Sequence, residues 1–167
     1  MNNMFFSKIK LVVFDFDGVF TNNKVLVNEL GIESVICNRS DGIGLSRLNS
    51  IGVKSFIIST EKNHVVLKRA EKLKINCYND VSDKSKILKE ICIAENVDLK
   101  NVCFVGNDIN DIPALKICGF PIGVKDSYDE IKPYIKFTTK NKGGEGAVRE
   151  ICDLIFLKKK NKKKFRK

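Results

Sequence analysis

The sequence predicts an α/β protein, a doubly wound parallel sheet interrupted by one β-hairpin insertion after its first strand. Three observations carry this. Short β-rich apolar runs recur along the chain, each is followed by a segment of helical spacing, and two β-prone runs break the alternation once, early in the chain.

The first run, Ile9-Lys10-Leu11-Val12-Val13-Phe14, is the apolar stretch expected of a central strand buried on both faces. It ends at Asp15. Beyond Asp17, Lys24-Val25-Leu26-Val27 and Ser34-Val35-Ile36-Cys37 flank Asn28-Glu29-Leu30-Gly31, the pattern of a hairpin projecting from the sheet's carboxyl edge. Val53 to Ile58 forms a second strand, and Val65, Val66, Ala70 and Leu73 give the helix after it. Ile87, Leu88, Ile91 and Ala94 mark another helix. Val102 to Val105 is a further strand, followed by a helix through Ala114, Leu115 and Cys118. No internal repeat or second domain is visible, and 167 residues suit one domain with its own core.

The composition, 43% hydrophobic and 30% charged, is that of an ordinary soluble globule, with no apolar run long enough to span a bilayer. No secretory signal pattern opens the chain, so a cytoplasmic location is expected and no membrane partner. The formal charge of +10 is uneven: residues 158–167 hold eight basic residues and no acid, leaving 22 basic against 20 acidic on the rest. Residues 1–157 are therefore expected as the domain and 158–167 as a basic, solvated tail, with an anionic partner for the tail as the alternative. The six cysteines show no C-x-x-C pair and sit mostly beside Ile, Val or Phe. They are expected as small buried hydrophobes, rather than disulfides or a zinc site.

Ligands of open α/β sheets bind beyond the carboxyl ends of the strands, and there the chemistry-bearing residues gather. The first strand delivers Asp15-Phe16-Asp17-Gly18, the second Ser59-Thr60, and the strand at Val105 delivers Gly106-Asn107-Asp108-Ile109-Asn110-Asp111; Lys84 opens an intervening helix. Two carboxylates two residues apart repel unless a cation joins them. Mg²⁺ prefers oxygen ligands, and Asp15, Asp17, Asn107, Asp108 and Asp111 offer them. Asp15 is placed to attack phosphorus as a nucleophile and Asp17 to serve as general acid and then base. Ser59 can hydrogen-bond a phosphoryl oxygen, and Lys84 can neutralise both the phosphate and Asp15.

These segments resemble the four motifs of the haloacid dehalogenase phosphatases, matching at Asp15-Phe16-Asp17-Gly18-Val19, Ser59, Lys84 and Gly106-Asn107-Asp108-Ile109-Asn110-Asp111, within a resemblance that runs from Lys8 to Leu157. Arg39-Ser40-Asp41-Gly42-Ile43-Gly44 and Gly143-Gly144-Glu145-Gly146-Ala147-Val148-Arg149-Glu150 resemble further marks of the small branch without a cap domain. That branch contains the 3-deoxy-manno-octulosonate (KDO) 8-phosphate phosphatases of lipopolysaccharide sugar synthesis and the 9-phosphate phosphatases of nonulosonic acids such as KDN and sialic acid. The resemblance implies a Rossmann-like core, Mg²⁺, a sugar acid phosphate substrate and a homotetramer joined through the hairpin. It also implies substrate contacts at Arg39, Thr60, Glu61, Arg69 and Lys72.

The segment Ser59-Thr60-Glu61-Lys62-Asn63 looks more like the nonulosonate enzymes, so a nonulosonate 9-phosphate is the expected substrate and octulosonate 8-phosphate the alternative. Asn107 stands where the family commonly has aspartate, which leaves open whether Asn107 or Asp108 ligates the metal. The Gly-rich segment before Arg149 is expected as a mobile closing tail or as a loop capping the last helix. A catalytically silent assembly module partnering a sialate cytidylyltransferase is a further reading, against which the retained Asp15, Asp17, Ser59 and Lys84 speak. A nucleic-acid partner has little support in the near-neutral body.

Overall fold

The computed structural model describes residues 5–164, with side chains to residue 161. Six strands build one parallel sheet: β1 (Leu11–Phe14), β4 (Lys54–Ile58), β5 (Asn76–Tyr78), β6 (Val102–Gly106), β7 (Phe120–Gly123) and β8 (Phe137–Thr138). Their order across the sheet is β5-β4-β1-β6-β7-β8. β1 lies at the centre, with Leu11 paired to Lys54 on one side and Val102 on the other. All four of its residues are buried, as their unbroken apolar character requires.

Five helices cover the two faces. α1 (Ser40–Ser50), α2 (Val65–Leu73) and α5 (Ala147–Lys164) pack Leu48, Val66, Ala70, Ile151 and Ile155 against Val12, Phe14 and Ile57. α3 (Lys84–Ala94) and α4 (Ile112–Ile117) pack Leu88, Ile91, Ala114 and Leu115 against Leu11, Val13, Phe56 and Phe104 on the other face. Alternate residues of β1 thus feed opposite cores, the period-2 consequence of a strand. Truncating one of the leucines or isoleucines among these to alanine leaves a cavity costing about 2–5 kcal/mol.

The hairpin is smaller than its sequence pattern. β2 (Leu26–Val27) and β3 (Glu33–Ser34) pair over two residues each, Leu26 with Ser34 and Val27 with Glu33. Asn28 shapes the turn through its side-chain oxygen, which accepts from the Leu30 and Ile32 N–H groups at 3.0 and 2.9 Å. Val25, Leu26, Val27, Leu30, Ile32 and Ile36 are each more than half exposed. So many exposed apolar side chains on one short hairpin suit a surface that another chain covers.

Two segments flank and form the last helix. The Gly-rich segment is docked as a loop leading into α5: the Gly144 N–H donates to Val19 O at 3.1 Å and the Gly143 N–H to Asp126 Oδ1 at 2.9 Å. The basic run is helical as far as Lys164, because α5 nucleates on its docked part and lysine, a good helix former, lets it propagate; residues 165–167 lie outside the described part. All six cysteines are free, and burial pushes the thiols of Cys77 and Cys118 up to about 11. No helix among the described residues is long and apolar enough to cross a membrane.

Candidate active site

The site is assembled from strand ends. Asp15 follows β1 directly, and its N–H still donates to Val105 O at 2.9 Å, so the carboxylate leaves a backbone held by β6. The chain then coils tightly: the N–H groups of Val19, Phe20 and Thr21 all point at Phe16 O, at 3.2, 2.9 and 3.3 Å. Gly18 takes φ +79°, and a Cβ there would come within 2.0 Å of the Asn107 side chain, so only glycine fits. Thr21 Oγ1 accepts from the Gly18 N–H at 3.1 Å and donates to Asp17 Oδ1 at 3.4 Å.

Asp83 caps α3 by accepting from the Ser85 and Lys86 N–H groups at 2.9 and 3.3 Å, and this places Lys84 on the first turn, facing inward. Lys84 Nζ lies 2.7 Å from Asp15 Oδ1 and 2.6 Å from Asp111 Oδ1. The three residues are 1%, 4% and 0% exposed. Charges this deep survive only when paired and hydrogen-bonded, and here each is. Asp15 Oδ1 also accepts from the Phe16 N–H at 2.7 Å, and Asp111 Oδ2 from the Asn107 and Asp108 N–H groups at 2.8 and 3.3 Å.

Burial pushes the Asp15 carboxyl up to about 7, with Asp111 adding to the rise and Lys84 opposing it. Burial likewise raises Asp17, helped by the carboxylate of Glu61 and opposed by the Thr21 hydroxyl. For Lys84, burial alone would lower the pKa, but Asp15 and Asp111 outweigh it, so the net shift is upward and the amine stays protonated. Both carboxyls are thereby raised, Asp15 against the opposing pull of a fixed cation and Asp17 with Glu61 adding to the rise.

The fourth motif divides its labour. Asp108 caps the short turn Ile109–Asp111, its Oδ1 accepting from the Ile109 N–H at 2.7 Å, and both Asp111 oxygens are engaged by Lys84 and the main chain. Asn107 instead points into the cluster, with one amide atom 3.2 Å from Asp15 Oδ2 and 2.9 Å from the Asp17 carbonyl oxygen. Without a cation the amide nitrogen satisfies both acceptors; turned the other way, three oxygens face one point, which suits a hard divalent cation. The residues present therefore fit Mg²⁺. Among the described residues no three His, Cys, Asp or Glu side chains gather for a metal. That agrees, since the converging oxygens come from one carboxylate, one main-chain carbonyl and one amide.

Of the expected substrate contacts, Thr60 and Glu61 follow β4 and sit with the site. Ser59, buried, accepts from the Glu61 N–H at 3.0 Å through Oγ, which leaves its hydroxyl hydrogen for another acceptor. Asn110 donates to Thr60 Oγ1 at 3.4 Å across the mouth. Arg39 is exposed at the start of α1, and Lys72 is exposed on α2. Arg69 turns its guanidinium to the chain beyond the hairpin, donating to Asn38 O at 2.7 Å, so the structure does not bring it to Glu61 by any direct bond.

Sequence reasoning missed Glu33 and gave Asp41 no role beyond its place in the Arg39–Gly44 mark. Glu33, on β3, accepts from Asn63 Nδ2 at 3.0 Å and its charge contributes to raising Asp17. Asp41 is 1% exposed, and burial pushes it up to about 7 against the pull of the Arg69 charge and of the Arg149 backbone N–H and charge. A half-open pocket of about 270 Å³ between α1 and the amino ends of β4 and β5 is remote from this chemistry. The site itself is an open shelf, with Thr60, Ile109 and Asn110 exposed along it.

Residues 47–151 match the model of the haloacid dehalogenase-like hydrolases. A 3-deoxy-D-manno-octulosonate 8-phosphate phosphatase of Escherichia coli is 32% identical over 154 residues, covering 89% of this chain and 80% of that protein. The solved 3-deoxy-D-manno-octulosonate 8-phosphate phosphatase of Yersinia pestis superposes with a TM-score of 0.91 at 30% identity, covering 95% of this chain and 86% of the other. That of Moraxella catarrhalis, in complex with a magnesium ion, a phosphate ion and KDO, gives 0.91 at 28% identity over 98% and 95%. A buried lysine bridging two strand-end carboxylates, on a fold shared with these proteins almost end to end, leads to one conclusion: this chain belongs to the haloacid dehalogenase-like hydrolases and is a phosphatase.

Proposed function

We propose that the chain is a Mg²⁺-dependent phosphomonoesterase acting on a 2-keto-3-deoxy sugar acid phosphate of the octulosonate 8-phosphate type. The observation that carries it is the intact cluster of Asp15, Lys84 and Asp111 beside Asp17 and Asn107. The octulosonate reading displaces the nonulosonate 9-phosphate expected from the Ser59-Thr60-Glu61-Lys62-Asn63 segment, because the curated relatives matched over most of both chains carry the octulosonate name. A nonulosonate ester is kept as the second reading on Glu61 alone, whose carboxylate stands next to Asp17 where a hydroxyl-rich leaving group would emerge.

In this reading the Asp15 carboxylate attacks phosphorus, and the ester oxygen leaves with the proton of Asp17. Water then attacks the aspartyl-phosphate, gives its proton to Asp17, and frees phosphate and Asp15. Lys84 orients Asp15 and offsets charge throughout, and Ser59 donates its hydroxyl hydrogen to a phosphoryl oxygen. Asp15, the Asp17 carbonyl and Asn107 would hold Mg²⁺, which supplies charge neutralisation as two anions meet. The exposed apolar hairpin supports a homotetramer in which a neighbouring copy covers that patch and closes the open shelf. A silent module has no use for so costly a buried charge cluster.

The experiment is phosphate release by the full chain with Mg²⁺ across octulosonate 8-phosphate, nonulosonate 9-phosphates and an aryl phosphate, beside Asp15→Asn and Asp17→Asn. Octulosonate 8-phosphate should have the highest kcat/KM, Asp15→Asn should be inert, and Asp17→Asn should lose about 10²-fold or more. Turnover near wild type in either variant removes the mechanism; a preferred nonulosonate ester hands the substrate to the second reading.

A further inference from the structure

The β2–β3 hairpin poses a mechanical problem. It has two ladder pairs, a mostly exposed apolar surface, and an isolated two-stranded hairpin is marginal in water. Among the described residues, besides the local bond of the Lys24 N–H to Asn22 Oδ1, one side-chain hydrogen bond joins residues 24–36 to the rest of the domain: Asn63 Nδ2 to Glu33 Oε2, at 3.0 Å.

The far end of that bond is in the pocket's own loop. Asn63 Oδ1 accepts from the Val65 N–H at 3.1 Å at the start of α2, which fixes the amide's orientation and aims its nitrogen at Glu33. The Asn63 N–H in turn donates to Glu61 Oε1 at 2.9 Å, and the same oxygen accepts from the Lys62 N–H at 2.7 Å. Glu61 is two residues from Ser59, whose Oγ accepts from the Glu61 N–H. A chain of hydrogen bonds therefore runs from the hairpin through Asn63 to the Glu61 carboxylate, while Ser59 is held at the end of β4, its Oγ met by the Glu61 main-chain N–H. Glu33 is near enough to Asp17 for its charge to be felt there, so the tether lies beside the reacting groups.

We propose that Glu33 is a positioning residue for the leaving-group side of the pocket: by holding Asn63 it fixes the turn that carries Glu61, so the seating of the hairpin sets how firmly the sugar part of the ester is held. This rests on the sugar-phosphatase reading above. It gives the hairpin a second task, since whatever covers its apolar face also steadies Glu33. The phosphate end, held by Asp15, Ser59 and Lys84 from the sheet, is independent of the tether.

The test is steady-state kinetics of the full chain with Mg²⁺ for wild type, Glu33→Ala, Glu33→Gln, Asn63→Ala and the Glu33→Ala/Asn63→Ala double variant. Each is measured on para-nitrophenyl phosphate and on the sugar acid phosphate that wild type turns over best, with thermal unfolding alongside. Glu33→Ala should raise KM for the sugar ester about tenfold with little change in kcat, the loss expected for one hydrogen bond to a charged group. The aryl ester should be unaffected. Glu33→Gln keeps an acceptor oxygen and should keep a KM near wild type, and the double variant should be no worse than either single one, since both break one bond. An unchanged KM in Glu33→Ala, an equal loss on the aryl ester, multiplying losses in the double variant, or a KM rise seen only with a collapsed unfolding midpoint each overturns the proposal. A wild type that favours no sugar ester overturns the substrate reading instead, and the variants on its best ester still decide Glu33.

Discussion

Replacing Asn107 with aspartate, alongside Asp108→Ala, separates the two candidate ligands of the fourth motif. The Asn107 amide lies 3.2 Å from Asp15 Oδ2. A carboxylate there would meet a like charge at that range, worth ~5 kcal/mol at an effective dielectric of about 20. Asp15 avoids most of this by taking a proton: its carboxyl is already pushed up to about 7, and each further pKa unit is worth about 1.4 kcal/mol. A folded-state pKa raised further means that stability is full at low pH and is lost as pH rises through it. Metal-free Asn107→Asp should therefore unfold at lower temperature than wild type at mildly alkaline pH, with the gap closing on acidification. Mg²⁺ should reverse the order. Another anionic ligand tightens binding, so the variant should gain more thermal stability from Mg²⁺ than wild type and reach half-maximal rate at lower Mg²⁺. Asp108→Ala should lose only the cap at Ile109, about 1 kcal/mol, and keep the wild-type Mg²⁺ requirement. The assay pairs thermal unfolding, with and without Mg²⁺ at two pH values, with Mg²⁺ titration of phosphate release. A requirement that moves in Asp108→Ala and stays fixed in Asn107→Asp refutes the assignment.

Asp41, raised by burial from 3.8 to about 7, contributes stability that is complete below its unfolded value and lost as pH rises through the folded one. The unfolding midpoint of wild type should thus fall more steeply than that of Asp41→Asn between about pH 5 and pH 8, by the equivalent of a few kcal/mol at most; parallel profiles would contradict the buried-charge account. Ending the chain at Leu157 removes eight basic residues beyond the last buried contact of α5 at Ile155. Activity and oligomeric state should both persist, and a loss of sugar-phosphate turnover would place the lysine run in the working site.

The constellation was legible because its members are ordered along the chain by the strands that deliver them. Asp15, Ser59 and Asn107 each sit one residue beyond the end of a buried apolar run, so finding the runs finds the residues. The remainder was hidden for particular reasons. β5, β7 and β8 are two to four residues long, too short for a period to show, and Pro121 inside β7 looks like a turn signal. Asp41 resembles any acidic residue in a first helical turn, and its burial comes from the packing of α1 on α5 and α2. Glu33 was invisible because its partner is thirty residues away and the hairpin register decides which of its side chains faces Asn63. The choice between sugars rested on the segment Ser59-Thr60-Glu61-Lys62-Asn63 with Arg69 and Lys72, and so short a stretch cannot outweigh relatives matched along most of the chain.

The docked glycines near the end of the chain have a consequence for when the enzyme becomes one. A Cβ at Gly143 would sit 1.8 Å from Gly18 O and 2.9 Å from Thr21 O, so this segment is the wall behind the coil that carries Asp17. A growing polypeptide that has emerged as far as β8 already contains every residue of the four motifs, yet the coil after β1 has nothing at its back. The wall arrives only with the lead-in to α5, and α5 must find α1 to hold it there. Competence should thus appear late and all at once, with the first and last thirds of the polypeptide meeting. Lengthening the chain past α5 leaves that meeting intact, whereas one residue inserted between Thr139 and Ala147 would be felt at Asp17.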